Sequence, residues 1–234
     1  GDGVEFKSAH LPPAPLAYSP EDGKMITLHT MSGQEVEAFE VQPTVRTNRV
    51  IFLFHEWWGL NDYMKREAER LHDALGGQVM VLALDLYDGQ TASDAKKANE
   101  LMKEVSEEDA MSVIEAGLHH VGPNARVGTI GWCFGGGWSL RAAIAAGKQA
   151  EACVVYYGMP VKDEDKLAEL QAPVLGIFAE QDDWVTPEKV EAFEERMEAL
   201  DQTLKLHTYE AKHAFANPSN PQYDKDATAD AMAK

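Results

Sequence analysis

Two textures of hydrophobic patterning alternate along this chain. Val50 to Phe54 and Val79 to Leu84 are near-continuous apolar runs, the mark of strands buried on both faces of a sheet. Ala152 to Tyr157 and Val174 to Ala179 repeat that texture, and Thr203 to Tyr209 reads as a last strand. Near the start, Lys24 to Thr30 and Glu35 to Val41 alternate around Ser32-Gly33, which predicts a β-hairpin. Between the strands the period changes. Asp62 to Leu75 reads as a helix stopped by Gly76-Gly77, followed by helices over Thr91 to Val105 and Glu107 to Val121. Ser106-x-x-Asp109 has the form of a capping box for the second of these. A short polar helix is expected near Asp163 to Leu170. Thr186-Pro187 supplies an N-cap and a first-turn proline for Glu188 to Leu200, and Asp224 to Lys234 opens like another helix. Strand and helix in alternation predict an α/β fold: a mostly parallel sheet, helices on both faces and an antiparallel N-terminal hairpin at one edge. Residues 1–23 are Pro-rich and irregular and are expected to lie as an arm over one domain spanning 24–234.

Composition narrows the function. With 234 residues, 44% hydrophobic and 26% charged, the chain has the make-up of an ordinary globular protein. Its formal net charge of -18 argues against nucleic acid or an anionic membrane as partner. There is no apolar stretch of about 18 residues, and no basic-then-apolar leader at the start. Cytoplasmic residence is the expectation, with export after removal of a leader as the alternative. Two cysteines, Cys133 and Cys153, make no disulfide framework, and the histidines show no metal-ligand spacing. No metal and no organic cofactor is expected.

The chemistry concentrates at Gly131-Trp132-Cys133-Phe134-Gly135. Arg126 to Ile130 suits a strand end and Trp138 to Ala146, closed by Gly147, suits a helix. A side chain on so sharp a strand-to-helix turn is thrust out of the sheet. The crowding leaves almost no room for side chains two positions before and two after. This is the geometry expected of the nucleophile elbow of α/β-hydrolases, with Cys in place of Ser. The helix N-terminus is expected to favour thiolate, and the N–H of Phe134 is placed to donate to an oxyanion.

A nucleophile needs a base, and the base needs an acid to orient it. In this fold the chain order is nucleophile, acid, histidine. After the strand ending at Ala179, the loop Glu180 to Val185 offers Asp182, with Asp183 as the near alternative. His213 follows the strand ending at Tyr209, whereas His207 lies inside that strand as an ordinary strand side chain. His55-Glu56-Trp57-Trp58-Gly59 follows the strand Val50 to Phe54; this loop is expected to supply a second oxyanion N–H, from Trp57. It also sets a carboxylate, Glu56, beside the elbow, where burial is costly unless the group is paired.

Taken together, His55 to Gly59, Asp85-Leu86-Tyr87, Gly131 to Gly136, Tyr156-Tyr157-Gly158, Gln181-Asp182-x-x-Val185 and His213-x-Phe215-Ala216 resemble the bacterial dienelactone hydrolase family, in order from about residue 24 to the end. The resemblance implies a Cys133–His213–Asp182 triad, with Glu56 helping to generate thiolate when substrate binds. It also implies His213 as the group that protonates the leaving oxygen and activates water. An uncharged resting thiol resists oxidation, and thiolate formed on demand attacks an ester or lactone. The chain departs from the family pattern at two arginines expected to bind a substrate carboxylate: Asn217 and Ala95 stand there, the latter beside Lys96 and Lys97. Bidentate carboxylate recognition is lost with them. Trp58, Trp132, Tyr156, Trp184 and Asn217 are expected to rim a substrate pocket. The expected activity is hydrolysis of a small-molecule ester or lactone by a monomer or small homo-oligomer. The alternatives are a redox-sensitive thiol protein and a non-catalytic small-molecule-binding domain of the same fold.

Overall fold

The computed structural model describes residues 12–217 and 225–232. Eight strands form one sheet: β1 (Lys24–His29), β2 (Glu35–Val41), β3 (Arg49–Phe54), β4 (Met80–Leu84), β5 (Arg126–Trp132), β6 (Ala150–Tyr156), β7 (Val174–Ala179) and β8 (Leu204–Tyr209). Their spatial order is β1-β2-β4-β3-β5-β6-β7-β8. The hairpin β1–β2 and the β2–β4 pair are antiparallel; every pairing from β4 through β3 to β8 is parallel. The apolar runs of the sequence become the middle of this parallel block, and Phe52, Leu53, Leu82 and Ala83 are almost wholly buried.

The helices are α1 (Asp62–Ala74), α2 (Ala95–Glu104), α3 (Glu107–Val121), α4 (Phe134–Ala146), α5 (Glu164–Ala168), α6 (Pro187–Ala199) and α7 (Lys225–Met232). Most begin where capping chemistry dictates. Asn61 caps α1, Ser106 caps α3 through the N–H of Asp109, and Thr186 caps α6 ahead of Pro187. Two starts differ from the sequence expectation. Residues 91–94 stay out of α2 because the Asp94 carboxylate, 2.9 Å from the N–H of Lys97, closes the first turn there. Conversely, α4 begins at Phe134, four residues before the expected Trp138. Its glycines are helical because the helix lies hard against the sheet. A Cβ on Gly131 would sit 2.0 Å from the Gly135 carbonyl oxygen, and one on Gly135 would sit 2.2 Å from that of Phe54.

Of the Pro-rich arm, residues 1–11 lie outside the described residues, as do 218–224 and 233–234 around the expected C-terminal helix. The rest of the arm runs without regular structure along α1. Glu69, buried on α1, is its anchor. Its carboxylate accepts from the Tyr18 hydroxyl at 2.5 Å and from the N–H groups of Glu21, Asp22 and Gly23 at 3.1, 2.6 and 3.2 Å. Burial by itself would raise the Glu69 carboxyl, but these four donors outweigh it and hold the group below its ordinary range. The anchor is therefore at full strength above the ordinary glutamate range and weakens as pH falls through the lowered value.

Two outcomes follow from these contacts. Gly135→Ala should destabilise the fold by about 3 kcal/mol, because the new methyl meets backbone that cannot yield; a urea midpoint equal to that of the parent would contradict the packing. Glu69→Gln should abolish hydrogen-exchange protection at the amides of Glu21, Asp22 and Gly23 while leaving β3 and β5 protected. Unchanged protection at those three amides would show that the carboxylate is not the anchor.

Candidate active site

Strands that run parallel end on the same edge, and open α/β sheets place their sites beyond the carboxyl ends of the strands. Five segments meet there. The chain leaves β3 into His55–Glu56–Trp57, β5 into Cys133, β6 into Tyr157, β7 into the loop bearing Asp182, and β8 into the turn bearing His213. His55, Glu56, Cys133, Tyr157, Asp182, His213 and Asn217 are all buried.

Cys133 occupies the corner between β5 and α4 with φ 57° and ψ −119°, a conformation that a non-glycine residue adopts only under compulsion. Its N–H donates to the Tyr156 carbonyl at 2.9 Å, which ties the corner to β6. The N–H groups of both Phe134 and Trp57 donate to the sulfur. The two donors expected for an oxyanion are therefore both aimed at the sulfur. The helix terminus favours thiolate, but burial acts against it here. Complete burial pushes the Cys133 thiol well above its usual range, and the nearby Glu56 and Asp182 carboxylates push it further. The two backbone N–H groups only partly offset this.

The second cluster is His213 with Asp182. Nδ1 of His213 lies 2.5 Å from Oδ2 of Asp182. The other oxygen of Asp182 accepts from the N–H groups of Trp184 and Val185 at 2.8 and 2.9 Å, so the carboxylate is fixed at both ends. The imidazole stands edge-on between Tyr157, with centroids 5.0 Å apart, and Trp184, 5.2 Å away. Asp183, the alternative acid, is exposed. His207 lies within β8, paired with Ile177.

Glu56 is the third element. Burial pushes its carboxyl up to about 8; the Tyr157 hydroxyl, donating at 3.4 Å, lowers it somewhat, and Glu67 on α1 raises it. The Asn217 amide nitrogen donates to its second oxygen. The loop is held from beneath by His55. The Leu86 N–H donates to His55 Nε2 at 3.0 Å, so the ring proton sits on Nδ1, which donates to the Glu56 carbonyl at 2.8 Å. Burial lowers this histidine, which is consistent with a neutral ring in a structural tie. The Tyr87 hydroxyl donates to the Trp57 carbonyl at 3.0 Å and fixes the peptide beyond.

A small cleft of about 40 Å³, open to solvent, leads to Glu56 and is lined by Tyr63, Met64, Arg66, Glu67, Trp132, Ala216 and Asn217. Of the residues expected to rim a pocket, Trp132 and Asn217 reach it. Trp58 packs on Trp57 in the core, Tyr156 stacks on Trp132 with centroids 5.3 Å apart, and Trp184 is half-buried against His213. Ala95 is the first residue of α2 and does not line the cleft. Tyr157, Tyr63 and His55 were not singled out as site residues from the sequence. Tyr157 carried a usable signal, since it follows a buried parallel strand, as Cys133 does. Among the described residues no group of His, Cys, Asp and Glu side chains is arranged to hold a metal ion, and no helix is long and apolar enough to cross a membrane.

Known proteins resemble the chain over most of its length. The chain is 26% identical to carboxymethylenebutenolidase 1 of Cupriavidus pinatubonensis over 227 residues, 91% of this chain and 94% of the relative. It is 27% identical to a carboxymethylenebutenolidase of Pseudomonas putida over 219 residues, 87% and 90% of the two chains. Among solved structures, a dienelactone hydrolase-like promiscuous phosphotriesterase from metagenomic libraries superposes with a TM-score of 0.76 at 21% identity, covering 91% of this chain and 95% of that one. A dienelactone hydrolase from Anabaena variabilis gives 0.64 at 20% identity, with the same coverage. The sequence model of the dienelactone hydrolase family matches residues 36–234, and the chain belongs to that family of hydrolases.

Proposed function

We propose that this hydrolase cleaves a small ester or lactone through a thioester on Cys133, with His213 and Asp182 completing a triad and Glu56 taking the thiol proton. The observation that carries this reading is the convergence of two backbone donors on the Cys133 sulfur with the Glu56 carboxyl close by. A substrate carbonyl oxygen that takes over the N–H groups of Phe134 and Trp57 frees the sulfur and gains the donors its oxyanion needs.

The proton balance closes. A Glu56 that has first given up its resting proton to solvent takes the Cys133 proton, and the thiolate attacks the carbonyl carbon. The tetrahedral intermediate expels its alkoxide, which takes a proton from Nε2 of His213, doubly protonated at this point, while Asp182 holds Nδ1. Neutral His213 then takes a proton from water, and the hydroxide attacks the thioester. The acid product leaves, and the thiolate recovers its proton from Glu56. At rest the buried sulfur and Glu56 are both neutral, which protects the thiol from oxidants and weighs against the redox alternative. The substrate class differs from one read by paired arginines, since Asn217 and Ala95 occupy those positions.

With p-nitrophenyl acetate, the parent should show a burst of nitrophenolate, and Cys133→Ala should show none. Cys133→Ser should keep the fold and lose at least about 100-fold in kcat, since an alcohol is a far weaker acid than a thiol; parent-like rates in it would refute thiolate chemistry. Because Glu56 acts as a carboxylate, kcat/KM should rise with pH through about 8, the value to which burial pushes that group. Glu56→Gln should remove this limb. A limb that persists in Glu56→Gln would show that another group controls the ionisation.

A further inference from the structure

The family's sequence model begins its match at residue 36, so the Pro-rich arm lies outside the matched span. Between residues 12 and 20 only Pro13, Leu16 and Tyr18 are half-buried, and the rest are exposed. A segment with so little apolar burial is held by its polar ties, and it opens at far less cost than the domain does. Both ties are to α1. Glu69 gathers the Tyr18 hydroxyl and the N–H groups of Glu21, Asp22 and Gly23. Nearer the start of the helix, the Tyr63 hydroxyl donates to the Ala14 carbonyl at 2.7 Å. Ala14 stands between Pro13 and Pro15. The proline rings fix φ and restrict the residue before them, so this carbonyl is presented to Tyr63 at small entropic cost.

Tyr63 also belongs to the site. Its ring lines the cleft that leads to Glu56, opposite Trp132, and the Arg66 guanidinium lies 5.2 Å from the ring centroid. On its other side Tyr63 borders a groove between Pro13 to Leu16 of the arm and the chain at Thr91 to Ser93. The groove measures about 440 Å³ and the cleft about 40 Å³. A ring released from Ala14 has room to turn toward the groove, and that turn widens the cleft.

We propose that the arm is a specificity element of this hydrolase: by holding the Tyr63 hydroxyl it keeps the ring against the cleft, which then accepts the acyl group of short-chain esters and excludes longer ones. This rests on the reading of that cleft as the way to Cys133. Tyr63 is the residue that meets the acyl chain. Ala14 and Glu69 are positioning groups that act through it.

The test compares kcat/KM for p-nitrophenyl hexanoate with that for p-nitrophenyl acetate in the full chain. Glu69 does not line the cleft, so Glu69→Gln reaches the substrate only through the arm. It should raise the hexanoate-to-acetate ratio about 10-fold through a lower KM for hexanoate, with kcat for acetate as in the parent. Tyr63→Phe keeps the ring and cuts the tie to Ala14, and should move the ratio in the same direction. The double variant should add little to the larger single effect, because both changes release one strap. An arm that only stabilises the fold would lower Tm and leave the ratio alone. A parent-like ratio in Tyr63→Phe, and in Glu69→Gln once the amides of Glu21, Asp22 and Gly23 have lost exchange protection, overturns the proposal. If those amides stay protected, the ratio in Tyr63→Phe decides alone. The nitrophenolate burst with acetate reads the thioester chemistry separately: an unmoved ratio with the burst intact sinks the role of the arm alone, whereas a parent without a burst sinks the reading beneath it.

Discussion

The backbone corner at Cys133 is the constraint on which the site depends. A φ of 57° at a residue with a side chain costs on the order of 1–3 kcal/mol, and it persists only because the surroundings overdetermine it. Gly131 and Gly135 let α4 press on the ends of β5 and β3, and the Cys133 N–H is locked to the Tyr156 carbonyl. From that one strained peptide the rest follows. The sulfur is thrust off the sheet, the Phe134 N–H turns toward it, and the loop after β3 is brought close enough for Trp57 to add a second N–H.

Electrostatics then decide what the corner does at rest. A helix N-terminus alone favours a thiolate, and two backbone donors at the sulfur act in the same direction. Burial outweighs them, and the neighbouring carboxylates add to its effect. The same burial acts on Glu56, whose partners are an amide and a phenol and carry no charge. Two acids that both resist ionisation therefore lie close together at the corner. His213 and Asp182 are tied to each other at 2.5 Å and fixed by aromatic edges on either side, and Asp182 adds its charge to the field on the sulfur.

Much of this was legible in the sequence, for physical reasons that differ between elements. The parallel strands announce themselves because burial on both faces demands unbroken apolar runs, as at Val50 to Phe54. Val174–Ala179 was read to the residue. Helix starts were readable where a cap carried the information, at Ser106 and Thr186. The start of α4 was misplaced because Gly135 to Gly137 discourage a helix locally and are helical only through contact with the sheet. The His213–Asp182 pairing was within reach, since chain order and strand ends point to both residues. The partnership of Glu56 with Tyr157 and Asn217 was not, because those residues lie 101 and 161 positions away and no local pattern links them. The uncharged resting thiol was implied by the family resemblance, but its cause, burial, is something a motif does not encode.

The most direct test of the account is to find where the acyl group goes. His213→Ala removes the group assigned to activating water, so an acyl-enzyme formed from p-nitrophenyl acetate should accumulate. Quenching that reaction, digesting the protein and weighing its peptides should find one acetyl group on the peptide that carries Cys133 and none on the one that carries Cys153. Release of nitrophenolate by the parent enzyme, with no acyl adduct on Cys133 in either protein, would contradict the account at its centre.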